Sequence, residues 1–559
     1  MLARLGPPLA IVLLAGPILF GFFGTLLPAL GYLPALGGTE ISLAPARMLA
    51  NEPGIMRSTM TSLAAGLASA AISLAVVALF IAGWSGTRSF ARIQHLVSPL
   101  LSVPHAAAAF GLAFMIAPSG LLARLVSPGL TGWTRPPDLL IVHDPMGLTM
   151  IAGLVVKEIP FLFLMTLAAL AQLRVAPTRA IAASLGYGRI AGFIFCLWPP
   201  LYRQIRLAVF AVIAFASSVV DVATILGPLT PPTLAVRLVE WMNDPELSMR
   251  FLASAGAMLQ VAVTGIAILI WIVLERLGAA WRNRFARAGH RFRRDAPARM
   301  LGLGLMSLAA GIVIAGLGAL AAWSVAGLWP FPDVMPRSVS LKSWAFTLPR
   351  IVAPLATTLI VGLIATLIAL FLTILCLIRE DETGRRGGRG AVWLLYLPLI
   401  VPQVAFLFGL QLLFLGGGAK ANLPALILAH LIFVMPYVFL SLSDAWRAFD
   451  RRFDAVASGL GKTRWRALLR VRLPMLTRAI VTAGAVGFAV SVGQYLPTVL
   501  IGAGRLTTVT TEAVALASGG NRRVIGVYAF LQMVLPMAGF LVATAIPALV
   551  FRRFRAMRI

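Results

Sequence analysis

The chain has 559 residues, 60% of them hydrophobic, and a mean hydropathy of +0.93, well above that of a soluble domain. Its 47 basic and 19 acidic residues leave a formal net charge of +28. That charge falls in short segments between long apolar runs, which argues against a nucleic-acid-binding domain and for membrane topology.

The first segment, "MLARLGPPLAIVLLAGPILFGFF", reads either as a cleaved leader or as a first membrane helix. Its long apolar stretch without an A-x-A site favours an uncleaved helix. Further apolar runs along the chain come close to the length that crosses a bilayer, roughly 20 residues. The predicted spans are 7–30, 60–84, 97–117, 147–172, 204–228, 251–275, 301–326, 352–378, 392–415, 424–445, 479–502 and 524–551. Lipid offers backbone groups no hydrogen bonds, so a span must be a helix or part of a closed barrel. No period-two alternation supports a barrel. The expected fold is an all-α polytopic membrane protein with twelve transmembrane helices.

If both termini lie on one side, that side collects 33 of the 47 basic residues. They include Arg179, Arg189, the cluster Arg282 to Arg299, Arg385, Arg386, Lys462, Arg464, and the terminal Arg552, Arg553, Arg555 and Arg558. The bias predicts a cytoplasmic side bearing both termini, beside anionic lipid. Cys196 and Cys376 have no partner spacing, and the five histidines do not cluster. No metal, cofactor or catalytic constellation is expected.

The chain is also written twice. "VPHAAAAFGLAF" at 103 matches "VPQVAFLFGLQL" at 401, an offset of 298. "SLGYGRIAGFIFCLWPP" at 184 matches "GLGKTRWRALLRVRLPM" at 459, an offset of 275. The difference of 23 between the offsets is assigned to a Pro- and Gly-rich insertion at 125–147 on the outer side. Two six-span halves, 1–277 and 301–559, are therefore expected, joined by a basic cytoplasmic linker at 278–300. An even number of spans per half makes the repeat parallel, with a pseudo-two-fold axis along the membrane normal.

Within the second copy, Gly461-Lys462-Thr463 looks like the end of a phosphate-binding loop. Val456 stands where that pattern needs its first glycine, and the preceding residues look like an amphipathic helix rather than a strand. The first copy reads Tyr187-Gly188 in place of Lys462-Thr463. What the copies share is Gly186, Arg189 and Pro199 against Gly461, Arg464 and Pro474, with identical spacing from glycine to arginine to proline. The shared frame is helix, glycine, helix, proline, and the phosphate-like triplet is incidental. Taken singly, either loop also fits a basic amphipathic helix lying on the bilayer surface.

This frame resembles the "EAA…G…(I)xLP" loop of permeases in the binding-protein-dependent ABC importer family. The six-plus-six layout is similar to fused permeases of the thiamine and ferric iron type. The resemblance implies a type I importer fold in a bacterial inner membrane. It also implies two ATP-binding subunits on the cytoplasmic side, an external binding protein, and a small solute such as thiamine or ferric iron moved by alternating access. ATP chemistry would belong to the partner subunits. The residues it assigns to ATPase coupling are Ser184, Gly186, Arg189 and Pro199, with Ser458, Gly461, Arg464 and Pro474. Gly188 is expected to offer a spare turn beside Gly186. The family's leading glutamate is replaced by Ala180 and Ala455, with Asp454 adjacent.

Ionisable residues inside a membrane are functional candidates. Lys157 and Glu158 lie in the fourth span and are expected to pair with each other or to snorkel. Asp221 and Gln494 each follow a phenylalanine by six positions in the fifth span of their half, and His105 and Gln403 each follow a proline. These four are the candidate pathway residues, against the alternative that they cap helix ends. A six-plus-six ion-coupled carrier and a membrane-embedded enzyme remain as other readings. The first needs no ATPase dock, and the second lacks a convergent polar site.

Overall fold

The computed structural model describes residues 2–384, 387–416, 418 and 421–551. Arg385, Arg386 and the four terminal arginines of the charge reading lie outside the described residues. Every regular element among the described residues is helical.

The first half supplies six spans, α1 (Ala3–Ala29), α2 (Ile55–Trp84), α3 (His105–Val126), α4 (Leu148–Ala171), α5 (Arg189–Ser218) and α6 (Met249–Arg287). The second half supplies α7 (Ala296–Ser324), α8 (Lys342–Thr383), α10 (Leu423–Arg447) and α12 (Arg522–Val550) as single helices. Its α9 (Gly390–Ile400 and Gln403–Leu415) is bent by 85°, and its α11 (Arg464–Met475 and Thr477–Val492) by 71°. With each bent pair counted as one span, the twelve expected helices are present.

The bend in α9 and the late start of α3 follow from proline chemistry. A residue before proline is pushed out of the helical region. Val103 and Val401 accordingly sit at ψ 123° and 126° ahead of Pro104 and Pro402. The span expected at 97–117 therefore begins only at His105, after a 3₁₀ turn over Ser98–Ser102. The runs expected at 204–228 and 479–502 are interrupted as well. The long helix of α5 stops at Ser218 and a short helix, Asp221–Leu226, follows. The long helix of α11 stops at Val492 and Leu496–Gly502 follows. Val220 (φ −107°, ψ −54°) and Tyr495 (φ −97°, ψ −64°) carry the same backbone at the two restarts, and they are related by the same offset as the two loops.

Two helices exceed expectation. α6 has 39 residues and α8 has 42, roughly 60 Å each at 1.5 Å per residue, against about 30 Å of hydrocarbon. The change of offset falls between the starts of α3 and α4, as the repeat predicts: His105 corresponds to Gln403, but Leu148 to Leu423.

The chain-order halves do not have separate cores. Met306, Ala309, Ala310 and Val313 of α7 pack in a core otherwise built from the first half. Ala10 and Leu14 of α1 pack with Ala365, Leu372 and Val434 of the second. Each half thus sends its first helix onto the other. The crossings are made by glycines. A Cβ on Gly111 would meet the Gly316 backbone at 2.9 Å, and one on Gly24 would meet the Gly409 carbonyl oxygen at 2.7 Å. The Gly409 N–H donates to Thr25 Oγ1 at 2.9 Å. Lipid gives helices no hydrophobic reason to associate, so contact this close, through small residues, is what holds such crossings together.

Candidate functional site

The two loops between the fourth and fifth spans of each half repeat one another in backbone detail. In the first, the helix Val175–Ser184 ends at Gly186, which has φ +82°. A short helix, Arg189–Gly192, then runs through a wide π turn at Phe193–Leu197 into the long helix that opens Trp198-Pro199. In the second, Arg452–Gly459 ends at Gly461 (φ +73°), and Arg464–Ala467 runs through a π turn at Leu468–Arg472 to Pro474. The closing bonds match as well. Gly186 and Tyr187 N–H donate to Ala183 and Ala182 O at 2.9 and 3.1 Å. Gly461 and Lys462 N–H donate to Ser458 and Ala457 O at 2.9 and 3.0 Å. This is a helix stop closed by a left-handed residue, where glycine carries no Cβ penalty. The proline that follows has no N–H for the preceding turn, and the helix widens there.

Gly188 is not a spare turn. It sits at φ −62° and opens the next short helix. Ser184 and Ser458 hydroxyls donate to Ile181 O (2.8 Å) and Asp454 O (3.0 Å), and both serines are exposed. Arg189 and Arg464 share a sequence register but not an environment. Arg189 turns inward and donates to Ser85 O at 2.7 Å, whereas Arg464 is exposed.

The loops are anchored differently. In the first, Arg179 also donates to Ser85 O, at 2.7 Å, and to the Ser85 hydroxyl. Burial, and then the neighbouring Arg189, lowers the Arg179 pKa. In the second, buried Arg472 lies 2.7 Å from Asp381 and 3.7 Å from Asp454, over the Trp446 ring at 4.3 Å. Trp446 Nε1 donates to Asp381 at 2.8 Å, and Arg447 pairs with Glu380 at 3.1 Å. Asp454, next to the missing motif glutamate, thus faces Arg472, while Ala180 and Ala455 are exposed. Sequence reasoning missed this anchor. Its signal was the acidic run "REDET" that ends an apolar helix on an otherwise basic side.

The pathway candidates divide. His105 Nε2 lies 3.1 Å from Glu158 Oε1, and its ring packs on Phe215 at 4.5 Å. Lys157 does not pair with Glu158. Its Nζ donates instead to the Leu100 and Leu101 carbonyls at 3.3 and 3.1 Å, just ahead of the break at Pro104, which supplies no N–H of its own. Asp221, 7% exposed, opens its short helix within electrostatic reach of His105 and of Tyr495 from the second half. Tyr437 of the second half lies within electrostatic reach of Glu158 and of Tyr396. Tyr396 is 5% exposed, and among the described residues no hydrogen bond reaches its hydroxyl. Carboxylates of one half are therefore within electrostatic reach of tyrosines of the other, and the tyrosines were missed because an isolated Tyr in an apolar run carries no pattern.

Gln403 opens the second part of α9 as His105 opens α3. Asp221 and Gln494 are not equivalent, however. Matching restart backbones pair Tyr495 with Val220, which puts Gln494 opposite Val219. Counting from the phenylalanines slipped the register by two. The side chains of Gln403 and Gln494 make no hydrogen bond among the described residues. His430 is a satisfied core residue, 2.8 Å from Ser491 and 3.0 Å from Thr498.

Comparison with known proteins agrees with this architecture. Residues 383–556 match the family described as binding-protein-dependent transport system inner membrane component. The inner membrane ABC transporter permease protein YnjC of Escherichia coli K12 is 30% identical over 516 residues, covering 91% of this chain and 93% of that one. The putative 2-aminoethylphosphonate transport system permease protein PhnV of Salmonella paratyphi A is 27% identical over 169 residues, 30% of this chain and 64% of its own. The putrescine transport system permease protein PotI of E. coli K12 is 29% identical over 133 residues, 23% and 47% respectively. A near full-length match, twelve helices in two copies and paired glycine-turn loops converge: the chain belongs to the family of ABC transporter permeases, the inner membrane components of binding-protein-dependent transport systems.

Proposed function

We propose that the chain forms the whole transmembrane pathway of an importer and docks two ATP-binding subunits, one on each glycine-turn loop. The observation that carries this reading is the repetition of the loop in the second copy, down to the left-handed glycine and the π turn before the proline. Exposed Lys462, Arg464, Trp465 and Arg466 form a short convex element suited to a groove on a partner. An ion-coupled carrier has no use for two such elements, so the ATP-driven reading is favoured. Substrate would reach the outer face on a binding protein. Closure of the two ATPases would draw the loops together and rock the halves about the Gly111–Gly316 and Gly24–Gly409 crossings. All ATP hydrolysis is assigned to the partners.

The substrate class follows from Glu158 and Asp221. Two buried carboxylates, Glu158 in the middle of α4 beside His105 and Asp221 at the restart of a broken helix, each within electrostatic reach of a tyrosine of the other half, favour a small solute bearing a positive charge. Two relatives are named for 2-aminoethylphosphonate and putrescine, both amine-bearing. None of the relatives described above is named for thiamine or ferric iron, and amines replace them as the first substrates to test. In vesicles holding the chain, its cognate ATPase and binding protein, ATP hydrolysis should rise with loaded binding protein, and the chain alone should hydrolyse none. Glu158→Gln with Asp221→Asn should cut amine uptake at least about tenfold while leaving ATPase assembly intact. Unchanged uptake would remove these residues from the pathway. Hydrolysis by the lone chain, lost in Lys462→Ala, would overturn the assignment of ATP chemistry to partners.

The orientation proposed has both termini and the 278–300 linker in the cytoplasm and 125–147 outside. It is supported by the convergence of Ser85, the first loop and the linker on one side. In a chain lacking Cys196 and Cys376, a cysteine at Trp133 should react with an impermeant thiol reagent in intact spheroplasts, and one at Ala288 should not. The opposite pattern would invert the topology.

A further inference from the structure

The linker lies on the first glycine turn. Gly188 N–H donates to Arg291 O at 3.0 Å, and Arg293 Nε donates to Gly186 O at 3.2 Å. Ile190 N–H donates to Asp295 Oδ2 at 2.9 Å, and Asp295 is also the residue before α7. A Cβ on Gly188 would collide with Phe292 O. Phe285, His290 and Phe292 pack ring against ring at 5.5 to 5.7 Å, which fixes the linker's own turn. The second turn is not covered in this way: among the described residues, no atom lies within 4 Å of a Cβ built on Gly461.

The two turns also differ in charge. The second presents Lys462, Arg464 and Arg466, all exposed. At the equivalent positions the first has Tyr187, Arg189 and Ala191, of which Arg189 is turned into Ser85 O and Ala191 is buried. The first loop alone would therefore offer a partner almost no free cation. The linker restores it. The Arg291 guanidinium stacks over the Tyr187 ring at 4.5 Å, the position that Lys462 occupies in the second copy, and exposed Arg293 lies against Gly186.

We infer that the first ATPase-docking element is built from two segments, the 175–197 loop and the 288–295 linker, and that Arg291 held on Tyr187 does there what Lys462 does in the second. The partner is an ATP-binding subunit with an acidic rim on its groove, reading a like basic turn at both docks. This rests on the docking function proposed above.

The test is the amount of cognate ATPase subunit retained by tagged full-length permease in detergent at rising salt. Arg291→Ala and Lys462→Ala should each weaken retention roughly two- to fivefold, the scale of one partly exposed charge contact. The double variant should lose about tenfold or more, because both docks are then depleted. Adding Tyr187→Lys to Arg291→Ala places the cation on the loop itself and should restore retention. Arg284→Ala removes equal charge from the linker away from the turn and should change nothing. A silent Arg291→Ala, a failed Tyr187→Lys rescue in protein that elutes as a single species, or an equal effect of Arg284→Ala would each overturn the inference. Gly461→Asp separates the two levels: if it too retains ATPase, the docking function itself fails, whereas if it loses ATPase and Arg291→Ala does not, only the linker's part does.

Discussion

A Gly461→Asp chain is expected to reach the membrane at near-normal levels and to lose both transport and its ATPase partner. The two effects have separate causes. At φ +73° any L side chain carries strain, on the order of 1 kcal/mol. No described atom lies within 4 Å of the added Cβ, so the free chain feels little beyond that strain. A loss of about 1 kcal/mol does not prevent insertion of a twelve-helix protein. The new carboxylate, however, would stand among exposed Lys462, Arg464 and Arg466 at the tip of the proposed dock. It would reverse the local charge and intrude on a packed surface, which costs far more than a rim contact. Melting of the purified permease and co-purification of the ATPase measure the two effects independently. Gly186→Asp should act differently. Its Cβ would lie 2.8 Å from Arg293 Nη2, so the carboxylate can pair with that guanidinium and pull the linker off its place. A Gly461→Asp chain that transports normally and keeps its ATPase, beside a Lys462→Ala chain that is dead, would reopen the phosphate-loop reading.

The spans were legible because a bilayer imposes one demand, about 20 apolar residues, that composition alone can meet. Breaks at Pro104 and Pro402 were legible in principle for the same local reason, since proline acts on its neighbour whatever the fold. The interruptions at Val219 and Val492 were not. No proline marks the point where either long helix stops, and the apolar runs continue across both breaks. The exchange of α1 and α7 between halves was hidden too, because an apolar helix reads alike against its own half or the other. The coupling loops were found through their repetition. Their surroundings were not, since the contacts of Arg472 with Asp381, and of Arg291 with Tyr187, join segments far apart in sequence that share no pattern. The slip between Asp221 and Gln494 has a related cause. Phenylalanines need not obey the pseudo-symmetry, whereas backbone breaks do.

The glycine crossings predict the largest loss of stability. Gly409→Val should abolish a single, well-defined species in detergent, or lower its melting temperature steeply. A Cβ on Gly409 would overlap Gly21 O, and it would also approach the Thr25 N and Gly24 backbone atoms, the last at 2.7 Å. These neighbours are backbone on a packed helix, with no flexible side chain to give way. The Gly409 N–H bond to Thr25 Oγ1 would be strained at the same time. Overpacking of this kind costs on the order of 3 kcal/mol or more when the backbone must move. In lipid that loss is not offset by hydrophobic burial, because α1 can equally face acyl chains. Gly111, the counterpart of Gly409 in the first copy, makes the equivalent crossing with Gly316, and Gly111→Val should fail in the same way. Gly16 lies on α1 with only its own helix's Val12 near, at 4.0 Å, so Gly16→Val adds the same side chain without a crossing to break. If Gly409→Val and Gly16→Val melt together, α1 is not held by the second half, and the exchange of first helices loses its support. If only Gly409→Val and Gly111→Val collapse, the halves are joined by two symmetry-related contacts, one at each exchanged helix. That would place the joints about which one half rocks against the other at the two exchanged helices.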